Sequence, residues 1–407
     1  MTEYHFLQPL DVLYLRGNRL FGDSSATGEA VMPPWPSMAA GALRSQMLVT
    51  NGEDSGQFAS GVNLTGVLAQ SLGTPAEPGT FRLSHFLLAK YSADTVGATP
   101  TSRLEINATN FVSKASLPQL LDVYFPLPSD LIVISEENNK HIHYLHPYRL
   151  PASIQTSATC AQLPVFRVAK QAKPESGLWL NTAGLQAWLN GQTIILDHVV
   201  ESKDLWKIDS RLGIALDTAG RTTIEGQLYT VDAVALNENI GFLTGIDGAD
   251  GLLQNGLLRL GGDGRGAQHS KINWEPLEPD WDIISKTKQF RLALATPGLF
   301  EQGWLLPGMT EQAGGFIWKT PEFSAHLVTA SISRAETISG WDMAENCPKP
   351  ALKAVSTGSV YWFDHFEGDI QALGKLVAHG LSLISAYPDN KRCAEGFNNI
   401  FIAAWPL

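Results

Sequence analysis

Cysteine is scarce in this sequence, with only Cys160, Cys347 and Cys393 among 407 residues. The three lie far apart, and none belongs to a C-x-x-C pair. Disulfide frameworks use an even set of cysteines, and cysteine-based zinc sites draw on closely spaced pairs. The sequence therefore indicates neither kind of cross-link, and we expect buried free thiols.

Long hydrophobic runs are missing as well. No apolar stretch approaches the roughly 18 residues that a membrane-spanning helix needs. The segment from Met1 to His5 lacks the basic flank of a secretion signal. With 44% hydrophobic and 17% charged residues, the composition is that of an ordinary folded protein. We therefore expect a cytoplasmic protein that has no membrane partner.

Positive charge is in short supply, because 29 lysine and arginine residues face 40 acidic ones and the formal net charge is −11. This balance argues against a protein that coats nucleic acid non-specifically, since such binding needs an overall basic surface. A local basic groove is still allowed. The segment from Lys140 to Lys173 contains five basic residues, three histidines and no acid.

Aromatic residues lie among the basic residues of that segment, at Tyr144, Tyr148 and Phe166. Basic and aromatic side chains together suit RNA, because phosphates take the charge and unstacked bases take the rings. The segment is therefore a candidate for an RNA contact. The alternative is a solvated loop with a chance bias of charge.

Glycine is concentrated between Gly256 and Gly266, where five of eleven residues are glycine. Without Cβ atoms the backbone can approach a ligand closely, and successive N–H groups in such a loop can bind an anion. Arg259 and Arg265 could reach phosphate groups from the same loop. The loop therefore predicts an anionic ligand, and the alternative is a hairpin tip without one.

This loop is not a nucleotide-cofactor motif. Gly262-x-Gly264-x-Gly266 lacks the helix that must follow a dinucleotide fingerprint, because residues 268 to 274 show no helical apolar period. The chain also has no Gly-Lys-Ser/Thr sequence, so a phosphate-binding P-loop is excluded. We expect no cofactor.

The order of predicted elements is typical of an α+β protein. Helices are predicted from Met38 to Met47 behind an N-cap at Ser37, from Asn181 to Leu189, and from Asp369 to Ile384 as the longest. A hairpin is predicted from Arg211 through Asp217 to Val231. The polar, proline-broken stretch from Trp274 to Asp280 is the best linker candidate, so we divide the chain into residues 1–280 and 281–407.

Short motifs follow one another along nearly the whole chain. The N-terminal ones are Asp11-x-Leu13-x-x-Arg16-Gly17-x-x-x-Phe21-Gly22 and Pro33-Pro34-x-Pro36-Ser37-x-x-Ala40-Gly41-Ala42-Leu43-Arg44. The central ones are Arg211-x-Gly213-Ile214, Gly220-Arg221-Thr222, Glu225-Gly226-x-Leu228-Tyr229 and Leu260-Gly261-Gly262-Asp263-Gly264-Arg265. The last ones are Thr296-Pro297-Gly298, Gly303-Trp304, Ser339-Gly340-Trp341-Asp342 and Gly358-Ser359-Val360-Tyr361. In this order and spacing they resemble the handle-binding RAMP-superfamily subunit of the type III-B CRISPR (Cmr) effector complex, in which glutamate often replaces Asp263.

The resemblance implies two ferredoxin-like (RRM-like) units with loop and hairpin insertions and a glycine-rich loop that binds RNA. It also implies a non-catalytic, RNA-binding subunit of an antiviral complex that grips the 5′ handle of the CRISPR guide RNA. Its partners would be the large polymerase-type subunit and the backbone RAMP subunits. We expect the RNA surface to consist of Arg16, Arg19, Arg44, Arg259, Gly261, Gly262, Gly264 and Arg265.

Two enzymatic alternatives remain. Some RAMP relatives cut guide RNA precursors, and His141-x-His143-x-x-His146 could supply a general acid or base. Histidines two apart on a strand share a face, so a metal site is also conceivable, although the segment has no carboxylate partner. Only the eleven tryptophans and the acidic composition suggest a carbohydrate-active protein, and no stretch shows the paired carboxylates that glycoside chemistry needs.

Overall fold

The structure is a computed structural model that describes residues 2–15, 27–28, 30–91, 121–136, 139–151, 153–168, 173–217, 220, 222–312, 315–384 and 389–406. Its helices are α1 (Pro36–Thr50), α2 (Ser55–Ala59), α3 (Gly66–Leu72), α4 (Thr182–Leu189), α5 (Ser202–Leu205), α6 (Trp281–Thr287), α7 (Ile370–His379) and α8 (Asn390–Ala394). None of the helices in these ranges is long and apolar enough to cross a membrane.

The strands fall into an earlier and a later group. The earlier ones are β1 (Glu3–Pro9), β2 (Thr27–Gly28), β3 (Arg82–Tyr91), β4 (Leu121–Pro126), β5 (Leu131–Glu136), β6 (Asn139–Tyr144), β7 (His146–Tyr148), β8 (Leu163–Val165), β9 (Leu178–Leu180), β10 (Val199–Glu201), β11 (Trp206–Leu216), β12 (Thr223–Leu236), β13 (Ile240–Asp247), β14 (Asn255–Arg259) and β15 (Gly266–Ile272). The later ones are β16 (Phe290–Leu294), β17 (Met309–Gln312), β18 (Gly315–Lys319), β19 (Phe323–Ser331), β20 (Glu336–Ile338), β21 (Trp341–Asp342), β22 (Cys347–Pro348), β23 (Leu352–Ala354), β24 (Val360–Gly368) and β25 (Ile400–Ala403). Pairing is mostly antiparallel and helices are few, so the α+β prediction is confirmed at this level, while the ferredoxin-like arrangement stays a prediction.

Two large sheets organise the molecule. The first has the order β10-β9-β4-β3-β13-β1-β15-β14, and the second has the order β17-β18-β19-β24-β16-β25. Successive side chains along the strands of the first sheet point to opposite faces, and each face packs into a different hydrophobic core. Leu7 and Phe242 pack with Leu43 of α1, whereas their neighbours Phe6 and Leu243 pack with residues of the second sheet.

The second sheet also has two covered faces. Leu292 of β16 packs with Leu373 of α7, and Ala293 packs into the core shared with the first sheet. The stretch 274–280 has no regular structure between β15 and α6. The division of the chain at 280/281 stays a prediction.

A buried ion pair lies where the two sheets meet. The Arg291 guanidinium pairs with Asp130, and both side chains are completely inaccessible. Arg291 also donates to the carbonyl oxygens of Ala404 at 2.9 Å and Trp188 at 2.7 Å, and it lies 4.4 Å from the centre of the Trp188 ring. Trp188 in turn donates its indole N–H to Asp130 at 2.9 Å. The Arg291 guanidinium and the Trp188 indole therefore both have partners inside the protein.

Two predicted helix boundaries were wrong. Helix α1 begins at Pro36 with Trp35 at the N-cap, rather than behind Ser37, because proline fits the first helical turn where no N–H is required. The predicted helix from Asp369 to Ile384 ends at His379, where Gly380 takes a φ of 66°. Helix α1, with 15 residues, is the longest in the described ranges.

Candidate nucleic-acid interface

The glycine-rich loop is the tip of the β14–β15 hairpin, and β14 is an edge strand of the first sheet. Gly261, Asp263 and Gly264 adopt positive φ values of 74°, 56° and 62°, which fold the chain back within a few residues. A Cβ atom on Gly261 would meet the carbonyl oxygen of Tyr14 at 3.0 Å. Gly261 is therefore required by the packing of the protein itself.

Two backbone amides of the tip are used internally. The N–H of Leu260 donates to Arg265 O at 2.7 Å, and the N–H of Gly262 donates to Tyr14 O at 2.9 Å. The sequence predicts that the N–H groups of the whole loop are available to an anion. In this conformation the Gly262 amide is not available, because Tyr14 already accepts its hydrogen bond. An approaching anion would instead meet the arginine side chains beside the tip.

Tyr14 holds Arg265 in place. The Arg265 guanidinium lies 4.8 Å from the centre of the Tyr14 ring and donates to the Tyr14 hydroxyl at 3.2 Å. Its other terminal nitrogen pairs with Asp11 at 3.0 Å. The planar guanidinium is thus fixed by a ring and a carboxylate while part of it remains accessible to solvent, which suits contact with a phosphate or a base.

The long β11–β12 hairpin brings a further arginine to Tyr14. Hydrogen bonds to Asp209 and to Tyr14 raise the pKa of Arg211 above its usual range. Leu13 exchanges two backbone hydrogen bonds of 2.8 Å with Val234 of β12. The segment from Asp11 to Leu15 is therefore bonded to β12 on one side and to the glycine-rich tip on the other.

Arg259 is the most available cation of the tip. Its side chain is exposed, and no hydrogen bond or ion pair joins it to another residue in the described ranges. A Cβ atom on Gly264 would lie 3.4 Å from Cδ of Arg259, which is an ordinary van der Waals contact. The φ of 62°, rather than a lack of space, is therefore what favours glycine at position 264.

Arg44 lies in a different cluster. Burial on α1 lowers the pKa of its guanidinium, and the nearby Glu395 opposes this shift. Glu395 is already bound by Lys349 and, at 3.0 Å, by Arg392. Three cations thus surround one carboxylate, and Arg44 makes no hydrogen bond or ion pair within the described part of the chain.

The remaining predicted arginines, Arg16 and Arg19, lie outside the described residues. The described range that precedes them ends at Leu15, directly after Tyr14, which pairs with Gly262. Sequence reasoning missed the roles of Tyr14 and Asp11, and it did not connect Arg211 with Arg265. Asp11, Arg211 and Arg265 each belong to one of the motifs described above, and this was the only sign in the sequence that they act together. Tyr14 belongs to none of these motifs.

In the folded protein, acidic residues from other parts of the chain lie next to the basic segment from Lys140 to Lys173. Lys140 pairs with Glu175 at 2.8 Å and with Glu201 at 3.0 Å, so acids from elsewhere neutralise it. Arg167 is exposed and lies 5.0 Å from the centre of the Tyr148 ring. Lys170 lies outside the described residues.

The three histidines of the segment do not converge on one point. The ring centres of His141 and His143 are 6.4 Å apart, and His143 stacks on Phe166. Among the described residues, the one group that brings three potential metal-ligand atoms within 4.8 Å of one another is His326, Asp364 and His365.

Comparison with known protein families gives a match over nearly the whole chain. Residues 5–405 match the model of a family described as CRISPR-associated protein (Cas_Cmr3). No curated protein matches the sequence. A chain from the cryo-EM structure of the type III-B Cmr-beta bound to cognate target RNA is similar, with 14% identity, a TM-score of 0.45, and coverage of 88% of this chain and 86% of that chain. The structure of type III-B Cmr-beta bound to cognate target RNA and AMPPnP, state 1, contains a chain with the same identity and coverage and a TM-score of 0.43.

Proposed function

The chain belongs to the CRISPR-associated Cas_Cmr3 family, and from this premise we propose that it is an RNA-binding subunit of a type III-B effector complex. It grips the 5′ handle of the guide RNA and cuts no RNA itself. It acts in the cytoplasm as two ferredoxin-like units that meet near residue 280.

The observation that best supports an RNA grip is the convergence of Arg211 and Arg265 on Tyr14, beside the exposed Arg259. Guanidinium groups that are held by a ring or a carboxylate are oriented before RNA arrives, so less side-chain entropy is lost on binding. The glycine-based tip adds little bulk next to them. Because the Gly262 amide is already bonded, the contact relies on arginines rather than on a complete backbone nest.

Binding of guide RNA with and without its 5′ handle tests this proposal, over a salt series and with the purified full-length chain. We expect tighter binding of the RNA that carries the handle, and loss of this preference in Gly264→Val, since valine disfavours the φ of 62° and should therefore distort the tip beside Arg259. Circular dichroism confirms that the variant folds. Equal binding of the two RNAs by the wild-type chain, unchanged in the variant, would contradict the assignment.

The exposed face of the β11–β12 hairpin supports docking onto other subunits. Ile208, Leu212 and Ile214 are exposed, with Leu212 68% accessible, and their even spacing places them on one face of β11. We assign this face to the large polymerase-type subunit or to a backbone RAMP subunit of the complex. Co-purification of the complex should fail with Leu212→Glu and persist with Leu253→Glu, which changes an exposed leucine outside the hairpin.

A further inference from the structure

A β-bulge interrupts the pairing of β19 with β24, far along the chain from the arginine cluster. Ser324 pairs with Glu367 and His326 pairs with Asp364, so Ala325 alone faces two residues, His365 and Phe366. His365 takes a φ of 49°, in the left-handed region that L-residues seldom adopt. The extra residue is therefore accommodated on β24.

The bulge changes which side chains share a face. Phe363 and Phe366 are three residues apart, so an unbroken strand would point them to opposite faces. Both are buried in the core of the second sheet, together with Ala325. Asp364 and His365 are instead both turned outward, next to His326. The bulge thus collects three potential metal ligands on one accessible face.

The three side chains lie close enough to share an ion. One donor atom of each lies within 4.8 Å of the other two, and Nδ1 of His365 is 2.8 Å from Oδ1 of Asp364. The rings of His326 and His365 are nearly parallel, with centres 5.1 Å apart. Tetrahedral zinc, with ligands at about 2.0–2.2 Å, places donor atoms roughly 3.3 Å apart. Rotations of the partly exposed side chains can supply this adjustment without moving the buried strands.

We propose that His326, Asp364 and His365 form a binding site for a divalent transition-metal ion, with Zn²⁺ as the best match. Two imidazoles and one carboxylate suit zinc-type ions, whereas Mg²⁺ and Ca²⁺ prefer sites made of oxygen ligands alone. Glu367, which interacts electrostatically with His365, adds negative charge that favours a cation. Three protein ligands leave one coordination position for water or for a group of a partner molecule.

Calorimetric titration of the untagged, chelator-treated full-length chain with ZnCl₂ tests the site, with CoCl₂ as a spectroscopic probe. We expect one zinc ion per chain and the visible absorption of tetrahedral cobalt. Affinity should fall by about tenfold or more in His326→Ala, His365→Ala and Asp364→Asn. The asparagine keeps the volume of Asp364 and a hydrogen-bond acceptor for His365, but it is a poorer ligand.

The double variant His141→Ala/His143→Ala is the matched control, because it removes two histidines from one face of β6. It should bind zinc as the wild-type chain does, and MgCl₂ should bind the wild-type chain more weakly than zinc does. Absence of stoichiometric zinc binding would overturn the proposal. So would unchanged affinity in all three site variants, or an equal loss in the control.

Discussion

Arg265 at the hairpin tip and Arg291 at the junction of the sheets make the same kinds of contact in opposite surroundings. Each guanidinium lies over an aromatic ring and meets an aspartate. The side chains of Arg291 and Asp130 are wholly inaccessible, whereas those of Arg265 and Asp11 are 29% and 55% accessible. Burial is therefore the main difference between an arginine that is enclosed in the protein and one that solvent and ligands can reach.

Replacing each arginine in turn tests most directly whether burial determines its contribution to stability. Arg291→Ala should lower the free energy of unfolding by about 3–5 kcal/mol, because it leaves the Asp130 carboxylate buried without its partner. Arg265→Ala should cost about 1 kcal/mol or less, since water replaces the lost contacts. Urea unfolding followed by fluorescence measures both. Similar losses in the two variants would mean that burial does not make the difference.

Arg291→Lys is the graded version of the same experiment. Lysine keeps the charge near Asp130 but lacks the planar fork that also reaches the carbonyl oxygens of Trp188 and Ala404. We expect a stability between those of the wild-type chain and Arg291→Ala.

The dependence of stability on pH tests whether the base of the β14–β15 hairpin is buried like the junction of the two sheets. Burial lowers the pKa of His5 on β1 to about 4, and His5 lies against His269 of β15. Between pH 6.5 and about 4 the His5 imidazole binds a proton readily only in the unfolded chain. The free energy of unfolding is therefore highest above pH 6.5 and decreases as the pH falls towards 4. At 1.36 kcal/mol for each pKa unit, the loss from His5 is on the order of 3 kcal/mol.

Thermal unfolding at several pH values measures this effect, and His5→Gln is the control. The variant should show a smaller loss of stability between pH 7 and pH 5 than the wild-type chain. The same slope in both would contradict the prediction. A smaller loss in the variant would mean that the hairpin has a core-like base below an accessible tip.

RNA affinity tests the exposed side of the comparison. Arg259→Ala and Arg265→Ala should each weaken binding of the handle-containing RNA by about 1–3 kcal/mol and lower the salt dependence. Arg334→Ala, which removes an exposed arginine outside the hairpin, should leave affinity unchanged. Fluorescence anisotropy with labelled RNA provides the measurement. A loss as large in Arg334→Ala would show only a general charge effect.

The smallest effect concerns Lys140. Because Glu175 and Glu201 already neutralise its charge, Lys140→Ala should leave RNA affinity unchanged within error. Arg167→Ala, at an exposed position of the same segment, should weaken binding slightly and without regard to RNA sequence. Both can be measured in the same anisotropy series. A larger loss for Lys140 than for Arg167 would reverse this order.

Local patterns predicted local structure well. Asn181 caps α4 through the N–H of Gly184, as its side chain and position indicate, and Asp369 caps α7. The hairpin that passes Asp217 was likewise confirmed, as β11 and β12. These features depend on residues close together in sequence, so propensity and alternation suffice to find them.

Long-range geometry was not predictable in the same way. The contact of Arg265 with Asp11 spans 254 positions of the chain, and no periodicity encodes it. The bulge that turns Asp364 and His365 to one face depends on which aromatic side chains the core accepts. The motif order grouped Arg44 with the tip, but the carboxylate that raises its pKa, Glu395, lies 351 positions further along the chain.

The segment from Asp11 to Leu15 is bonded to β12 through Leu13 and to the glycine-rich tip through Tyr14. Because the hairpin arm and the proposed RNA-binding tip share this backbone segment, we expect that a movement of one is transmitted to the other. By linkage, any factor by which docking on the arm tightens RNA binding is the factor by which RNA tightens docking. Loading of the guide and recruitment of the neighbouring subunit would then be a single thermodynamic cycle, in which either event can come first.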